Sequence, residues 1–415
     1  MRGIALEGGG AKGAFHVGAI KALHELGIEY QAVAGTSIGA INGAIIATGD
    51  LELLEHLWLS TEMEDMIGGD AEIIKSIMNF EFRSEPLKIQ NFIRETIRQG
   101  GLDITPLKKK LKELVDEEKV RASTVDYGLV SMSLTDLKPL EVFVKDIPEG
   151  RLHEYILASA NLPAFKDEKL DNKRMIDGAF FDNLPINMLL KRGCDEVIAI
   201  RLNAIGRIQK VKKADLSKVI TITPSEELGK LLEIDTERAK YNIKMGYYDT
   251  MRVMKKLHGT SYYISNLIDE AVILKNLIVI SKPVLDQIAR FFNIEQPAYR
   301  MMFEEIIPLI GDLLKADKKG SYSQLVLAYY EFLAHHAGID RFEIMNYETL
   351  VNRVNGHYLS QIDQYNGMQD SVVNRLIAAL PNKSALLLPQ KLKTELLIHI
   401  YYILLRGLRD TGISG

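Results

Sequence analysis

Cysteine is almost absent from this chain: Cys194 is the single one in 415 residues. A lone thiol excludes an intrachain disulfide, and this usage fits a reducing compartment. Its setting, KRGCDEVIAI, reads as a turn feeding a strand, so a buried structural thiol is expected, not a nucleophile. Long apolar runs are missing too. No segment approaches ~18 uninterrupted apolar residues, so no membrane-spanning helix is expected. Met1 to Leu6 run straight into an apolar strand and a glycine loop. That leaves no room for a cleavable secretory leader and points to a cytoplasmic chain, with peripheral membrane contact left open. Nor is there an excess of positive charge. With 51 basic against 55 acidic residues, the net charge is −4. The longest Lys/Arg run, Lys108-Lys109-Lys110, reads as a solvated helix face, so nucleic acid is not an expected partner.

What is present is a folded chain too long for one ordinary core, and two domains are expected. Residues 2–7 read as a buried strand, and 12–26 as a helix closed by Gly27. The stretch YQAVAGTSIGAINGAIIATG, residues 30–49, repeats strand, tight turn and helix. Two such units in succession argue for a parallel sheet covered by helices. Residues 51–121 have helical periodicity and form a helical insertion. Strands return at 125–136 and 138–147, expected to be neighbours, then near Arg174–Ile176, at 195–203 and at 218–224. A helix is expected around 149–160. Thr223 as N-cap, Pro224 at the first position and Glu226 predict another helix start. Beyond about residue 258 the patterns are long and helical, so the domains are set at 1–258 and 259–415, the second all-helical.

Three motifs carry chemistry. The first, EGGGAKG at residues 7–13, contains G-x-G-x-x-G in Gly8, Gly10 and Gly13. As a dinucleotide loop it lacks the acidic residue that should end the second strand, since Glu29 precedes that strand. As a Walker loop it fails because Ala14, not Lys, follows Gly13. The second motif, Gly35-Thr36-Ser37-Ile38-Gly39, is a G-x-S-x-G between an apolar strand and a helix, the setting of a nucleophile elbow. In the third, Asp177 leaves a short apolar strand into Gly178. A carboxylate in a water-poor site can take a serine proton if its pKa rises toward neutrality. Ser37 would then attack an acyl carbonyl with Asp177 as base, and the bare amides of Gly9, Gly10 and Ala11 would receive the oxyanion.

These motifs, in this order, resemble the patatin-like phospholipases. LASANLPAF (157–165) and FDNLPI (181–186) are similar to further family segments. The resemblance implies a three-layer α/β/α sandwich with a mainly parallel sheet. It also implies a Ser–Asp dyad of Ser37 and Asp177 in a serine esterase that needs no metal or other cofactor. The oxyanion loop would comprise Gly8, Gly9, Gly10, Ala11, Lys12 and Gly13, with Gly178 and Ala179 completing the aspartate motif. Glu7 and Ala179 stand where members often carry Asp and Gly. The implied activity is that of a phospholipase A or lysophospholipase on phospholipid or lysophospholipid, with transient contact with a membrane surface.

Other readings stay beside this one. His16 and His24 read as packed or polar-face residues, His335 and His336 as surface, and His258 as a remote third catalytic member. Trp58 reads as core, with an interfacial anchor as the alternative. The C-terminal domain could hold the catalytic one silent through a regulatory partner, or mediate a homo-oligomer.

Overall fold

A computed structural model of the chain describes residues 1–62, 65–66, 68, 94, 98, 101–163, 165, 169–292, 294, 297–365 and 388–410. They divide into two compact units, Met1–Lys255 and Lys256–Gly415.

The first unit is built on one mixed sheet. Its strands are β1 (Arg2–Leu6), β2 (Ala32–Thr36), β3 (Asp126–Ser133), β4 (Lys138–Phe143), β5 (Lys169–Leu170), β6 (Lys173–Asp177), β7 (Glu196–Ile200) and β8 (Val219–Ile222). They lie in the order β5-β6-β3-β2-β1-β7-β8, and β4 also pairs with β3. The pairs joining β3, β2, β1, β7 and β8 are parallel. Those of β3 with β4 and β6, and of β5 with β6, are antiparallel.

The central strands are buried on both faces, which is why they read as continuous apolar runs. Helix α1 (Ala14–Glu25) follows β1, and α2 (Ile38–Thr48) follows β2. Val33, Tyr127 and Leu6 face α2 around Gly43, and the Tyr127 hydroxyl donates to the Ala40 carbonyl at 2.8 Å. The alternate residues Ala5, Ala32 and Ala34 pack on the other face with Leu189. Of the expected insertion at about 51–121, α3 (Leu51–Ser60), α4 (Thr105–Leu114) and α5 (Glu117–Ala122) are described, and much of the rest lies outside the described residues. Helix α6 (Leu152–Ser159) precedes β6, and α7 (Ile186–Lys191) carries Leu189.

In this unit one expectation fails. No helix starts at Thr223; the next is α8 (Thr236–Lys255). The local cap signals are overridden by distant partners. The Ser225 N–H donates to the Asp249 carboxylate at 2.8 Å, and the Leu231 carbonyl accepts the Ala11 N–H at 2.7 Å.

The second unit is helical around its own apolar core, in which Leu285, Leu333, Leu350 and Leu396 are fully buried. It is not wholly helical, because Tyr263–Ile264 and Ile344–Met345 form a two-stranded parallel pair. Among the described residues, no helix is long and apolar enough to cross a membrane.

Candidate active site

The site lies where two strands meet end to end. Since β4 occupies one side of β3 along Gly128–Ser133, β2 and β6 must share the other. Parallel β2 ends with Thr36 opposite Val130, and antiparallel β6 ends with Asp177 opposite Ser131. The turn after β2 therefore delivers Ser37 to the end of β6. Serine and aspartate, remote in the chain, are brought together by register.

Ser37 has φ 56° and ψ −123°, a backbone conformation that non-glycine residues rarely adopt. It sits at the N-terminus of α2, where its carbonyl accepts the Ala40 and Ile41 amides. Its own N–H donates to Ser159 Oγ at 3.0 Å, and that hydroxyl donates to the Val130 carbonyl at 2.6 Å. Both flanking glycines answer to sterics. A Cβ on Gly35 would lie 2.0 Å from the Gly39 carbonyl oxygen, and one on Gly39 would lie 2.5 Å from that of Leu6.

Asp177 is fully buried. Its N–H donates to the Asn161 carbonyl at 2.8 Å, and its Oδ1 accepts the Ala179 N–H at 2.8 Å. Burial raises its pKa to about 6, against the opposing pull of the Ser37 hydroxyl and the Ala179 amide. Oδ2 makes no hydrogen bond of full geometry among the described residues. The serine is thus close enough to favour the carboxylate without closing a direct bond to it, an arrangement that commonly tightens on substrate binding.

In the glycine loop, several amides are already engaged. Gly8 N–H donates to the Asn183 carbonyl at 3.0 Å, and Asn183 Nδ2 returns a bond to the Gly8 carbonyl at 3.1 Å. Ala11 N–H goes to Leu231, and Lys12 N–H to the Gly9 carbonyl at 3.3 Å. Gly10, at φ 56°, has the Leu231 carbonyl oxygen 2.1 Å from where a Cβ would stand, so only glycine fits. Among the described residues these bonds leave the Gly9 and Gly10 amides without an acceptor, a narrower donor set than the expected one that included Ala11. Lys12 and Gly13 are buried in the turn that starts α1.

A cavity adjoins the serine. Its walls are almost entirely apolar, with Ile38 and Ile41 from α2, Trp58 from α3, Leu111 from α4 and Leu231 among them. Trp58 is buried as expected of a core residue, and it also lines this cavity. Its indole N–H donates to Asn42 Oδ1 at 3.2 Å, while Asn42 Nδ2 donates to the Gly13 carbonyl at 3.0 Å.

His16 is buried with a pKa lowered to about 3 by burial, and its Nδ1 lies 3.2 Å from the Asn42 amide. His258 pairs through its backbone with Ile264. Cys194 is buried, as its setting implied.

Sequence reasoning missed the residues that hold the site together. Ser159 and Asn161 lie in LASANLPAF, and Asp182 and Asn183 in FDNLPI, so the segments stood out without their roles. Asp182 takes the Thr36 hydroxyl on its carbonyl at 2.8 Å and the Gln209 N–H on its carboxylate at 3.1 Å. Glu7, noted only as a departure, is a buried carboxylate that accepts the Leu202 N–H at 2.6 Å and lies 3.6 Å from the Arg201 guanidinium.

A family model described as patatin-like phospholipase matches residues 4–190. A patatin-like phospholipase domain-containing protein of Caenorhabditis elegans is 27% identical over 206 residues, which are 49% of this chain and 14% of that protein. Lysophospholipase NTE1 of Candida glabrata is 24% identical over 263 residues, 62% of this chain and 14% of the relative. The chain thus corresponds to a small part of these longer proteins. Among solved structures, VipD from Legionella pneumophila is similar at 16% identity and a TM-score of 0.39, covering 97% of this chain and 91% of that one. The glycine loop, the GTSIG turn and the aspartate motif all fall within residues 4–190, the segment that is similar to the patatin-like phospholipases.

Proposed function

We propose that this chain is a lipid acyl hydrolase of the phospholipase A or lysophospholipase type, working through Ser37 and Asp177. The observation that carries the reading is the abutment of β2 and β6 on one edge of β3, which sets a strained serine beside a buried carboxylate. The apolar cavity next to Ser37 suits a fatty acyl chain. The names of the relatives support the same chemistry.

In this mechanism Ser37 Oγ attacks the ester carbonyl carbon while Asp177 accepts the hydroxyl proton. The carbonyl oxygen becomes an oxyanion and takes bonds from the Gly9 and Gly10 amides, whose donors are fixed before charge develops. The tetrahedral species collapses, the C–O bond to the alcohol breaks, and Asp177 returns the proton to that leaving oxygen. Water, deprotonated by the same carboxylate, then attacks the acyl carbon; the bond to Ser37 Oγ breaks, Asp177 passes the proton to that oxygen, and the fatty acid leaves. A pKa near 6 suits a base that must hold and release a proton close to neutrality.

The test is product analysis by mass. The chain is incubated with phospholipids, lysophospholipids and neutral glycerides, beside its Ser37→Ala and Asp177→Asn variants. Free fatty acid from a phospholipid class, lost in both variants, is expected. Release that persists in Ser37→Ala would exclude the mechanism.

A further inference from the structure

The connection between β7 and β8 carries a basic run. Residues 204–213, AIGRIQKVKK, contain Arg207, Lys210, Lys212 and Lys213 and no acid. All four cations are exposed. Ile208 and Val211, between them, pack against the core of the first unit, so the strap lies with its basic side chains outward.

Elsewhere in this unit, surface cations are commonly matched: Arg151 with Glu154 and Asp171, Lys173 with Asp136, Lys191 with Glu141, Arg192 with Asp126. Among the described residues, none of the four strap cations takes part in a salt bridge. An unneutralised group of this kind is a binding feature more than a stabilising one.

The strap is tied to the candidate site. Arg207 N–H donates to the Ala179 carbonyl at 2.8 Å, the Arg207 carbonyl accepts the Asn183 N–H at 2.6 Å, and Gln209 N–H reaches Asp182. It therefore adjoins the loop that leaves Asp177. On this ledge two large apolar side chains stand in solvent: Phe180, 51% exposed, and Ile205, 58% exposed. Apolar tips beside a row of cations form the arrangement by which proteins sit on a charged lipid–water interface, with the tips in the headgroup layer and the cations against anionic lipid.

We propose that Phe180, Ile205 and the basic strap 207–213 form a docking surface for anionic phospholipid membranes. The surface holds the site against the layer that contains its substrate. Its purpose rests on the acyl-hydrolase reading, but its detection does not.

Co-sedimentation tests it, using the Ser37→Ala chain so that vesicles stay intact, with phosphatidylcholine vesicles lacking or containing phosphatidylserine. Binding is expected only where phosphatidylserine is present, and salt should release it. The triple change Lys210→Glu, Lys212→Glu and Lys213→Glu should weaken binding by on the order of tenfold or more. Ile205→Ser, which keeps the charges, should weaken it to a lesser degree. Thermal unfolding midpoints separate lost docking from lost folding. Equal binding to both vesicle types, binding to neither, or a triple variant that is folded and binds like its parent would overturn the proposal. So would capture by polyglutamate beads without vesicle binding, which would make the partner an acidic protein. Vesicle binding by a wild-type chain that cleaves no ester would leave docking standing and remove the hydrolase reading. Ester cleavage without vesicle binding would do the reverse.

Discussion

Thr36 and Asp177 are held against consecutive residues of one strand, Thr36 opposite Val130 and Asp177 opposite Ser131. One strand arrives parallel and the other antiparallel, so their carboxyl ends meet. Ser37 turns out of the sheet at that junction, and its distance from Asp177 is set by hydrogen-bonded register, which cannot slip without turning buried side chains to the opposite face.

The buried carboxylate makes a pH prediction. Asp177 rises from 3.8 to about 6 in the folded chain. As a base it must be ionised, so kcat/KM should fall about tenfold per pH unit below 6 and level off above it.

The same shift has a cost in stability. Between pH 3.8 and about 6 the folded state binds more protons at this residue than the unfolded state does, so stability falls as pH rises through that window. Asp177→Asn removes the buried charge. It should stabilise the chain at pH 7 by on the order of 3 kcal/mol, with the difference fading below about pH 4. Urea unfolding of both chains across this range measures it; a variant less stable than wild type at pH 7 would contradict the electrostatics described here.

Backbone strain at Ser37 can be released. At φ 56° and ψ −123°, glycine is the residue that avoids the penalty, which is about 1–3 kcal/mol for others. Ser37→Gly and Ser37→Ala should both lack activity, but the glycine variant should melt at the higher temperature. Equal midpoints would mean that the elbow stores no strain.

Ser159 fixes the elbow from outside it. Ser159→Ala removes the acceptor of the Ser37 N–H and the donor to Val130, which should cost about 1–3 kcal/mol. Because the contact orients the proposed nucleophile, kcat should drop while KM stays near its original value. A change in KM alone would assign Ser159 to substrate binding.

Ile41 lies one helical turn beyond Ser37 and lines the apolar cavity. Ile41→Trp should fill part of that space. Cleavage of long-chain esters should fall by on the order of tenfold relative to butyryl esters, the scale of discrimination an apolar pocket achieves. An unchanged chain-length profile would show that the acyl group binds elsewhere.

Much of this arrangement could be read before folding was considered, and the reason is local. Strand, tight turn and helix follow each other within residues 2–49, and the glycines of GTSIG mark close contacts that forbid a side chain. Asp177-Gly178 was legible as a turn. What stayed hidden depends on contacts between distant segments. Nothing around Ser159 announces that its hydroxyl receives the Ser37 N–H, and nothing around Asn183 announces its two bonds to Gly8. Thr223 and Pro224 carried sound helix-start signals, yet Asp249 and Ala11 hold that segment open. The small parallel pair in the second unit escaped notice because two-residue strands leave no period to detect.

In the proposed reaction a carboxylic acyl group passes through the Ser37 oxygen. Mixing the chain with a phospholipid, quenching in acid within the first turnovers and mapping peptides by mass tests it most directly. An added acyl mass is expected on the peptide containing Ser37, absent from the Ser37→Ala chain. Phospholipid cleavage at full rate with the acyl group on another residue, or on none, would contradict it.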